Sequence, residues 1–441
     1  MSLARNSFFT TLTQILIQFF GILSGIIMAR MLGPEGRGVY ALYFTNAQLV
    51  FTFSSFSIGA AIIYFIPAGK ISPQKMLGLS FLINAISSLV GLGLILFSYF
   101  SPLQSAFFSD NYLNFAFVGW MILYTIAIII SATYTSFFQA IRKFPELNKI
   151  NLISSIFSLL CFSILFFLKN YIPTRVGLFL LILFISQLVS LSLFAYSLHK
   201  RNNIKPSFRF SIKKDFPGLK KFIIAAHLSI VANFFNYRFS TWAINYYLNE
   251  AALGWYSLAV NTGAVFSLVT EPLSMVLTPY LSERQGGDKI TLFNTYFRIF
   301  FWTILLLACA AMVLAPWLIP WVYGQEFQPS VLLFQIAIPG ICLASMTKIL
   351  ASFVISNGKQ EYNLIATLVG LIITITANLV LVSRWGAQGA VYANIITYAG
   401  IFITLLSICF SKLQLRPGNI FSISLSDWKL LKRTILSLFH K

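Results

Sequence analysis

The 441-residue chain has little charge and few residues that bind metals or carry out acid-base chemistry. Only 10% of its residues are charged, 11 are acidic and three are histidine. Its four cysteines stand singly inside apolar runs without the C-x-x-C spacing of a metal or redox site, so we interpret them as small core residues. A soluble domain of this size carries about 25% charged residues. The composition therefore excludes an ordinary soluble domain, and it indicates neither a metal nor a cofactor.

What the chain has in abundance is apolar sequence, with 58% hydrophobic residues and a mean hydropathy of +0.82. A helix that crosses a bilayer needs about 20 apolar residues. Turn residues and charges divide the chain into about twelve such stretches, which predicts an all-α integral membrane protein. We predict the spans near residues 7–31, 38–66, 76–100, 112–139, 149–168, 175–198, 220–248, 254–281, 290–319, 329–356, 362–383 and 388–411.

The distribution of lysine and arginine predicts the orientation of these spans. If the N-terminus is inside, 23 of the 31 basic residues fall on the cytoplasmic side, and five, including Arg30 and Arg37, fall on the other side. Because basic loops stay in the cytoplasm, both termini are predicted to be cytoplasmic. The net charge of +20 then reflects loops that face anionic membrane lipids, and we expect no nucleic acid partner.

A short motif recurs at half the length of the chain. "GVYALYF" begins at Gly38 and "GWYSLAV" at Gly254, an offset of 216 residues, and a related stretch begins at Trp385. Duplication with the same orientation produces parallel repeats with the substrate site between them. We predict an N-terminal six-helix bundle at 1–198, a basic cytoplasmic linker at 199–219, a second six-helix bundle at 220–411 and a cytoplasmic amphipathic tail at 412–441.

Three stretches carry a resemblance to a known family: "ARMLGPEGRGVYAL", "FNYRFSTWAINYYLNEAALGWYSLA" and "APWLIPWVYGQEFQPSVLLFQIAIPG". In this order they resemble bacterial Wzx-type oligosaccharide flippases of the multidrug/oligosaccharidyl-lipid/polysaccharide (MOP) exporter superfamily. The resemblance implies a MATE-like fold of two bundles related by a pseudo-two-fold axis, in the bacterial inner membrane. It implies a carrier and not an enzyme, which moves undecaprenyl-pyrophosphate-linked oligosaccharide to the periplasmic leaflet for O-antigen or other surface polysaccharide. A polysaccharide polymerase and chain-length proteins are implied partners.

Basic residues at span depth are the first candidates for substrate binding, because a buried charge costs at least about 2.5 to 3.5 kcal/mol on insertion scales. Arg238 is the strongest candidate for a pyrophosphate contact, since a guanidinium fork matches phosphate oxygens. Arg298 and Lys348 either face the cavity or extend to the headgroups. Arg30 lies at the cavity mouth or against lipid phosphate. The amides of Asn233, Asn236 and Gln18 either line a sugar-compatible cavity or form interhelical hydrogen bonds.

Two further residues are candidates for coupling. Glu271 is the only carboxylate predicted deep in a span, and it is either the counter-ion of Arg238 or a group that couples transport to protons or sodium. His227 is either a titrating group or a hydrogen-bonded buried histidine.

Two other functions compete with the flippase. A multidrug or cation antiporter of the same superfamily would need carboxylates in its cavity, and this chain offers one deep acid against up to four basic groups. A membrane polysaccharide polymerase or ligase would need a sizeable outer loop for its catalytic residues, and the predicted outer loops are short.

Overall fold

The computed structural model describes residues 3–67, 69, 71–102, 104–109, 115–171, 176–211, 216, 218–282 and 286–415. Across these residues every regular element is a helix and none is a strand, which confirms the predicted all-α class. Residues 416–441, most of the predicted amphipathic tail, lie outside the described residues.

The helices follow one another with short connections. The N-terminal part of the chain contains α1 Leu3–Ser54, α2 Ile58–Phe65, α3 Pro73–Phe100, α4 Gln104–Phe107, α5 Phe115–Ala140, α6 Phe144–Phe167 and α7 Val176–Tyr196, followed by a π-helical turn at Ser197–Arg201. The C-terminal part contains α8 Leu219–Tyr247, α9 Glu250–Thr262, α10 Ser267–Ser282, α11 Gly286–Tyr323, α12 Gln328–Ser356 and α13 Gln360–Lys412. Short 3-10 turns, Gly263–Phe266 and Gln325–Phe327, precede α10 and α12.

Helix α1 contains the first predicted span and most of the second, joined at one broken residue. Gly33 has φ 63° and ψ −173°, a conformation that only glycine adopts without a Cβ penalty. Pro34 then starts the next segment, because its ring fixes a helical φ and the first residue of a helix needs no N–H partner. The turn predicted between residues 31 and 38 is therefore a single-residue break. Gly386, with φ 57°, divides α13 in the same way.

The second predicted span contains a further break that sequence reasoning missed. Phe56 and Ser57 adopt left-handed φ values of 46° and 51°, so the helix ends at Ser54 and α2 begins at Ile58. Neither residue is glycine or asparagine, the types that favour this conformation. Tertiary packing, and not local propensity, therefore sets the break.

Among the described residues, nine helical segments are long and apolar enough to cross a membrane, and the chain is a multi-pass membrane protein. The segments Leu12–Ser54 and Gln360–Lys412 have 43 and 53 residues. At about 1.5 Å per residue each is at least twice as long as a hydrocarbon core of about 30 Å is thick. Large apolar side chains such as Phe97 and Phe167 are exposed on the helices, as expected of a surface that lipid covers.

The described chain separates into two compact units. Unit 1 contains Met1–Ser257 and Ile319–Pro329, and unit 2 contains Leu258–Leu318 and Ser330–Lys441. The predicted division at the 199–219 linker stays a prediction.

Each unit has its own packed interior. In unit 1, α1 packs against α5, α6 and α8, and aromatic side chains such as Phe137 and Phe138 are fully buried. In unit 2, the rings of Phe293 on α11 and Phe353 on α12 lie with their centroids 4.5 Å apart.

The cysteines follow the core prediction only in part. Cys409 is buried and Cys161 and Cys342 are half-buried, but Cys309 is exposed. The core prediction is wrong for Cys309, because this residue shares the outward face of α11 with the exposed Leu306 and Val313.

Candidate functional site

Two glycines bring segments of the two sequence halves into backbone contact within unit 1. A Cβ on Gly38 would lie 1.8 Å from the carbonyl oxygen of Glu250, and a Cβ on Gly254 would lie 1.8 Å from that of Pro34. We call these four residues the glycine crossing. The contact is reciprocal, because Pro34 and Gly38 each have their counterpart 216 residues later, the offset of the sequence repeat. Approach this close leaves room only for Cα hydrogens against carbonyl oxygens.

Polar contacts surround the glycine crossing. The Ser109 hydroxyl donates to Oε1 of Glu250 at 2.6 Å, and Nε1 of Trp255 donates to the carbonyl oxygen of Glu326 at 2.9 Å. A Cβ on Gly33 would lie 2.9 Å from Oε2 of Glu326. The stretch that the sequence presents as a surface turn is therefore fixed by contacts to distant residues.

Arg30 caps the end of α11. Its Nε donates to the carbonyl oxygen of Val322 at 2.7 Å, and its Nη2 donates to that of Trp321. The last carbonyls of a helix have no partner within the helix, and a cation there also interacts favourably with the helix dipole. The guanidinium is exposed. The structure thus gives Arg30 a capping contact, and its role at a cavity mouth stays a prediction.

Arg37 is buried, although the sequence places it among the outer loop charges. Only 5% of the residue is exposed, and its Nη1 donates to the carbonyl oxygen of Gly25 at 3.2 Å. Within the described part of the chain its Nε has no hydrogen-bond partner. The interpretation as a loop charge is wrong, because Arg37 lies in a helix between two buried glycines, Gly36 and Gly38, the second of which belongs to the glycine crossing.

The polar residues predicted on the seventh span all lie on α8, in unit 1. His227 is half-buried, and its Nδ1 lies 3.2 Å from the Ser57 hydroxyl at the break before α2. Asn236 is 1% exposed and Arg238 half-buried, whereas Asn233 is exposed. The hydrogen bond fits the reading of His227 as a hydrogen-bonded histidine. The cavity roles of the other three residues stay predictions.

A buried tryptophan anchors α8 to the N-terminal helices, a feature that sequence reasoning missed. Nε1 of Trp242 donates to Oδ1 of Asn46 at 2.7 Å, and Nδ2 of Asn46 donates to the carbonyl oxygen of Phe107. The rings of Trp242 and Phe107 lie 5.9 Å apart. No sequence spacing joins residues 196 positions apart, so only the fold identifies this contact.

Glu271 is paired with Lys348 within unit 2. Nζ of Lys348 lies 2.5 Å from Oε1 of Glu271, and each side chain is 46% exposed. Close to the pair, the hydroxyls of Ser274 and Ser352 lie 2.7 Å apart and also join α10 to α12. The structure therefore gives Glu271 a counter-ion that differs from the one predicted, because helix packing brings together residues 77 positions apart.

The remaining predicted residues have local surroundings. Nη2 of Arg298, half-buried on α11, lies 3.5 Å from the Thr295 hydroxyl, and Gln18 is half-buried on α1. Their cavity roles stay predictions. Lys289, one of the 23 basic residues predicted on the cytoplasmic side, is 7% exposed and donates to the carbonyl oxygen of Ser356 at 2.8 Å, at the end of α12. Among the described side chains, no three His, Cys, Asp or Glu residues lie close enough to hold a metal ion.

Comparison with known proteins gives the family. Residues 3–285 match the family described as Polysaccharide biosynthesis protein. The chain belongs to this family. A search of curated proteins found no match to the chain.

Solved structures share its fold at low sequence identity. The family member is similar to the lipid II flippase MurJ in an inward closed conformation, with a TM-score of 0.76, 15% identity and coverage of 98% of this chain and 93% of that chain. It is similar to an inward-facing multidrug resistance MATE family transporter, with a TM-score of 0.66, 14% identity and coverage of 90% and 96%. It is also similar to a MOP superfamily transporter from Pyrococcus furiosus, with a TM-score of 0.63, 16% identity and coverage of 94% of this chain and 96% of that chain. The chain therefore shares the fold of these transporters, as the resemblance predicts.

Proposed function

We propose that this protein is a flippase that moves undecaprenyl-pyrophosphate-linked oligosaccharide from the cytoplasmic to the periplasmic leaflet by alternating access. The observation that carries the proposal is the family match over residues 3–285, in a chain with the fold of MOP superfamily transporters. The product would serve O-antigen or another surface polysaccharide, in the inner membrane of a bacterium. A polymerase and chain-length proteins would act on the product next.

Twelve crossings fit the helices. If Leu12–Ser54 and Gln360–Lys412 are each counted as two crossings, divided at Gly33 and Gly386, the nine candidate segments become eleven. Helix α8, Leu219–Tyr247, has 29 residues, enough for the twelfth. An even number places both termini on one side, and the excess of basic residues favours the cytoplasm. The reciprocal glycine crossing supports two repeats related by a pseudo-two-fold axis.

Electrostatics favours an anionic substrate over a cation. The one carboxylate predicted deep in a span, Glu271, already has the ammonium of Lys348 at 2.5 Å. A cationic drug would have to compete with this bound amine. Arg238 and Arg298 remain at span depth as proposed contacts for the pyrophosphate, with Asn233, Asn236 and Gln18 beside the sugars. As the coupling step, we propose that the ammonium of Lys348 leaves the carboxylate of Glu271 and that a proton or a sodium ion binds there instead.

The deciding experiment is transport by the purified full chain in proteoliposomes. The vesicles contain a labelled undecaprenyl-pyrophosphate-linked oligosaccharide, and a membrane-impermeant glycan-modifying enzyme reports the fraction that reaches the outer leaflet. We expect that fraction to rise with time in vesicles that contain the protein and to stay constant in protein-free vesicles. Imposed proton and sodium gradients, each tested alone, identify the coupling ion.

The same vesicles test the alternative of a cation antiporter. A fluorescent organic cation replaces the glycolipid, and an ion gradient drives its movement. If the cation moves and the glycolipid does not, the flippase proposal is wrong. Polymerised or transferred glycan in these vesicles would instead indicate a polymerase or ligase.

Arg238 provides a residue-level test of the flippase. We expect Arg238→Ala to stop translocation and Arg238→Lys to retain little, since an ammonium cannot reproduce the two parallel hydrogen bonds of a guanidinium. The matched control is Arg209→Ala, which removes an exposed arginine from the linker. Translocation by Arg238→Ala at the parental rate would exclude the pyrophosphate role.

A further inference from the structure

One face of α1 has unfilled space in front of it. Gln14, Gln18, Gly21 and Gly25 are spaced by four, three and four residues, which places them on one side of a helix. A Cβ added at Gly21 or at Gly25 would have no other atom within 4 Å. Both glutamines are half-buried. We call these four residues the α1 stripe. It offers two amides and a region of bare backbone with open space beside it.

A buried cation stands at the end of the α1 stripe. Nη1 of Arg37 donates to the carbonyl oxygen of Gly25 at 3.2 Å. The residue is 5% exposed, and among the described residues nothing accepts a hydrogen bond from its Nε. A buried charged donor without an acceptor is costly. The stripe is therefore bounded by a cation whose hydrogen-bonding capacity is not filled by the described protein atoms.

Packing at this position does not require a charge. The repeat offset of 216 residues makes Leu253 the counterpart of Arg37, and both lie one residue before a glycine of the glycine crossing. Leu253 is fully buried. An apolar side chain thus fills the equivalent position without the cost of a buried charge. The arginine at this position therefore carries a cost that packing alone does not require.

We propose that Arg37 binds the pyrophosphate of the lipid-linked substrate when that substrate lies along the α1 stripe. Two negatively charged phosphates would accept hydrogen bonds from the Nε and Nη groups of the guanidinium fork, a geometry that matches phosphate oxygens. The bare backbone of Gly21 and Gly25 would leave room for the headgroup. In this structure the guanidinium is covered, so binding requires the side chains around it to move apart. The inference rests on the proposed flippase function and adds a phosphate contact to it.

The test is ligand binding by the purified full chain in nanodiscs. The probes are undecaprenyl pyrophosphate, undecaprenol and inorganic pyrophosphate, each titrated against the parent, Arg37→Leu and Arg37→Lys. Leucine is the residue that the second repeat carries at this position, so the variant is expected to fold, and its thermal melting is measured alongside. Arg37→Gln replaces it if Arg37→Leu does not fold. Arg209→Leu is the control for loss of an exposed positive charge.

We expect Arg37→Leu to bind undecaprenyl pyrophosphate about tenfold or more weakly than the parent, the size of effect typical of a lost charged hydrogen bond. Its binding of undecaprenol should be unchanged, and Arg37→Lys should recover part of the loss. Equal binding of undecaprenyl pyrophosphate by the parent and the leucine variant would overturn the inference. So would inorganic pyrophosphate that binds as tightly as the lipid. If the parent itself does not prefer undecaprenyl pyrophosphate to undecaprenol, the proposed function fails together with the inference.

Discussion

The glycine crossing and the Glu271–Lys348 pair join helices by opposite means. At the crossing, two backbones touch at Gly38 and Gly254 with no space for a side chain, and the nearby Arg37 is buried. At the ion pair, two long side chains meet at 2.5 Å while each remains 46% exposed. The first contact depends on shape and the second on charge.

This difference indicates that the glycine crossing contributes to stability, whereas the ion pair provides charged groups that can change partners. A backbone contact excludes water and tolerates no added atom, so its energy depends on close packing. A half-exposed ion pair contributes little to stability, typically about 0 to 1 kcal/mol, and its partners can be exchanged for a ligand or a proton. We therefore expect substitutions at the crossing to act on folding and those at the pair to act on transport.

The largest effect is expected at the glycine crossing. Gly38→Val or Gly254→Val would place side-chain atoms where a carbonyl oxygen lies 1.8 Å from the Cβ position. Overpacking a core typically costs about 1 to 3 kcal/mol, and a clash with backbone should reach the upper end of that range. Thermal melting of the purified variants measures the loss.

The matched control for this substitution is Gly93→Ala on α3, where an added Cβ meets no other atom within 4 Å. It should melt at or above the parental temperature, because alanine favours the helix over glycine. If Gly38→Val and Gly254→Val both melt at the parental temperature, the crossing does not contribute to stability.

A smaller loss is expected from Arg30→Ala, which removes the cap on α11. Two carbonyl oxygens lose a charged donor, and hydrogen bonds to charged groups contribute about 1.5 to 3 kcal/mol where they are buried. Because Arg30 is exposed, we expect the loss of stability to lie at the lower end of this range. Hydrogen exchange at the last turn of α11 should accelerate in Arg30→Ala and less in Arg30→Lys. Unchanged exchange in the alanine variant would mean that the cap does not hold this turn.

The smallest effect on stability is expected at the ion pair. Glu271→Gln and Lys348→Gln should each change the free energy of unfolding by less than about 1 kcal/mol and still impair translocation. The exchange Glu271→Lys with Lys348→Glu keeps the attraction but reverses the positions of the charges. It should melt like the parent and still transport poorly. If the exchanged pair transports normally, the pair has only a structural role, and the contrast with the crossing disappears.

Hydropathy and the distribution of lysine and arginine were enough to predict helices, membrane class and most helix limits, because these properties are local along the chain. The motif shared by Gly38 and Gly254 indicated a duplication, and the contact between its two copies came only from the structure. Neither property predicted the left-handed break at Phe56 and Ser57, because the residue types there favour no turn.

The contact partners of individual side chains could be identified only from the folded structure. The structure buries Arg37, and no sequence spacing indicates that burial. It also brings Trp242 to Asn46 and Glu271 to Lys348, which are far apart in the sequence. Each depends on how the helices pack, and small residues such as glycine decide how closely backbones approach. The sequence thus determines that the chain crosses a membrane, and it predicts basic groups at span depth. Only the tertiary structure decides that Arg30 caps a helix, that Lys348 pairs with Glu271 and that the Nε of Arg37 has no acceptor among the described residues.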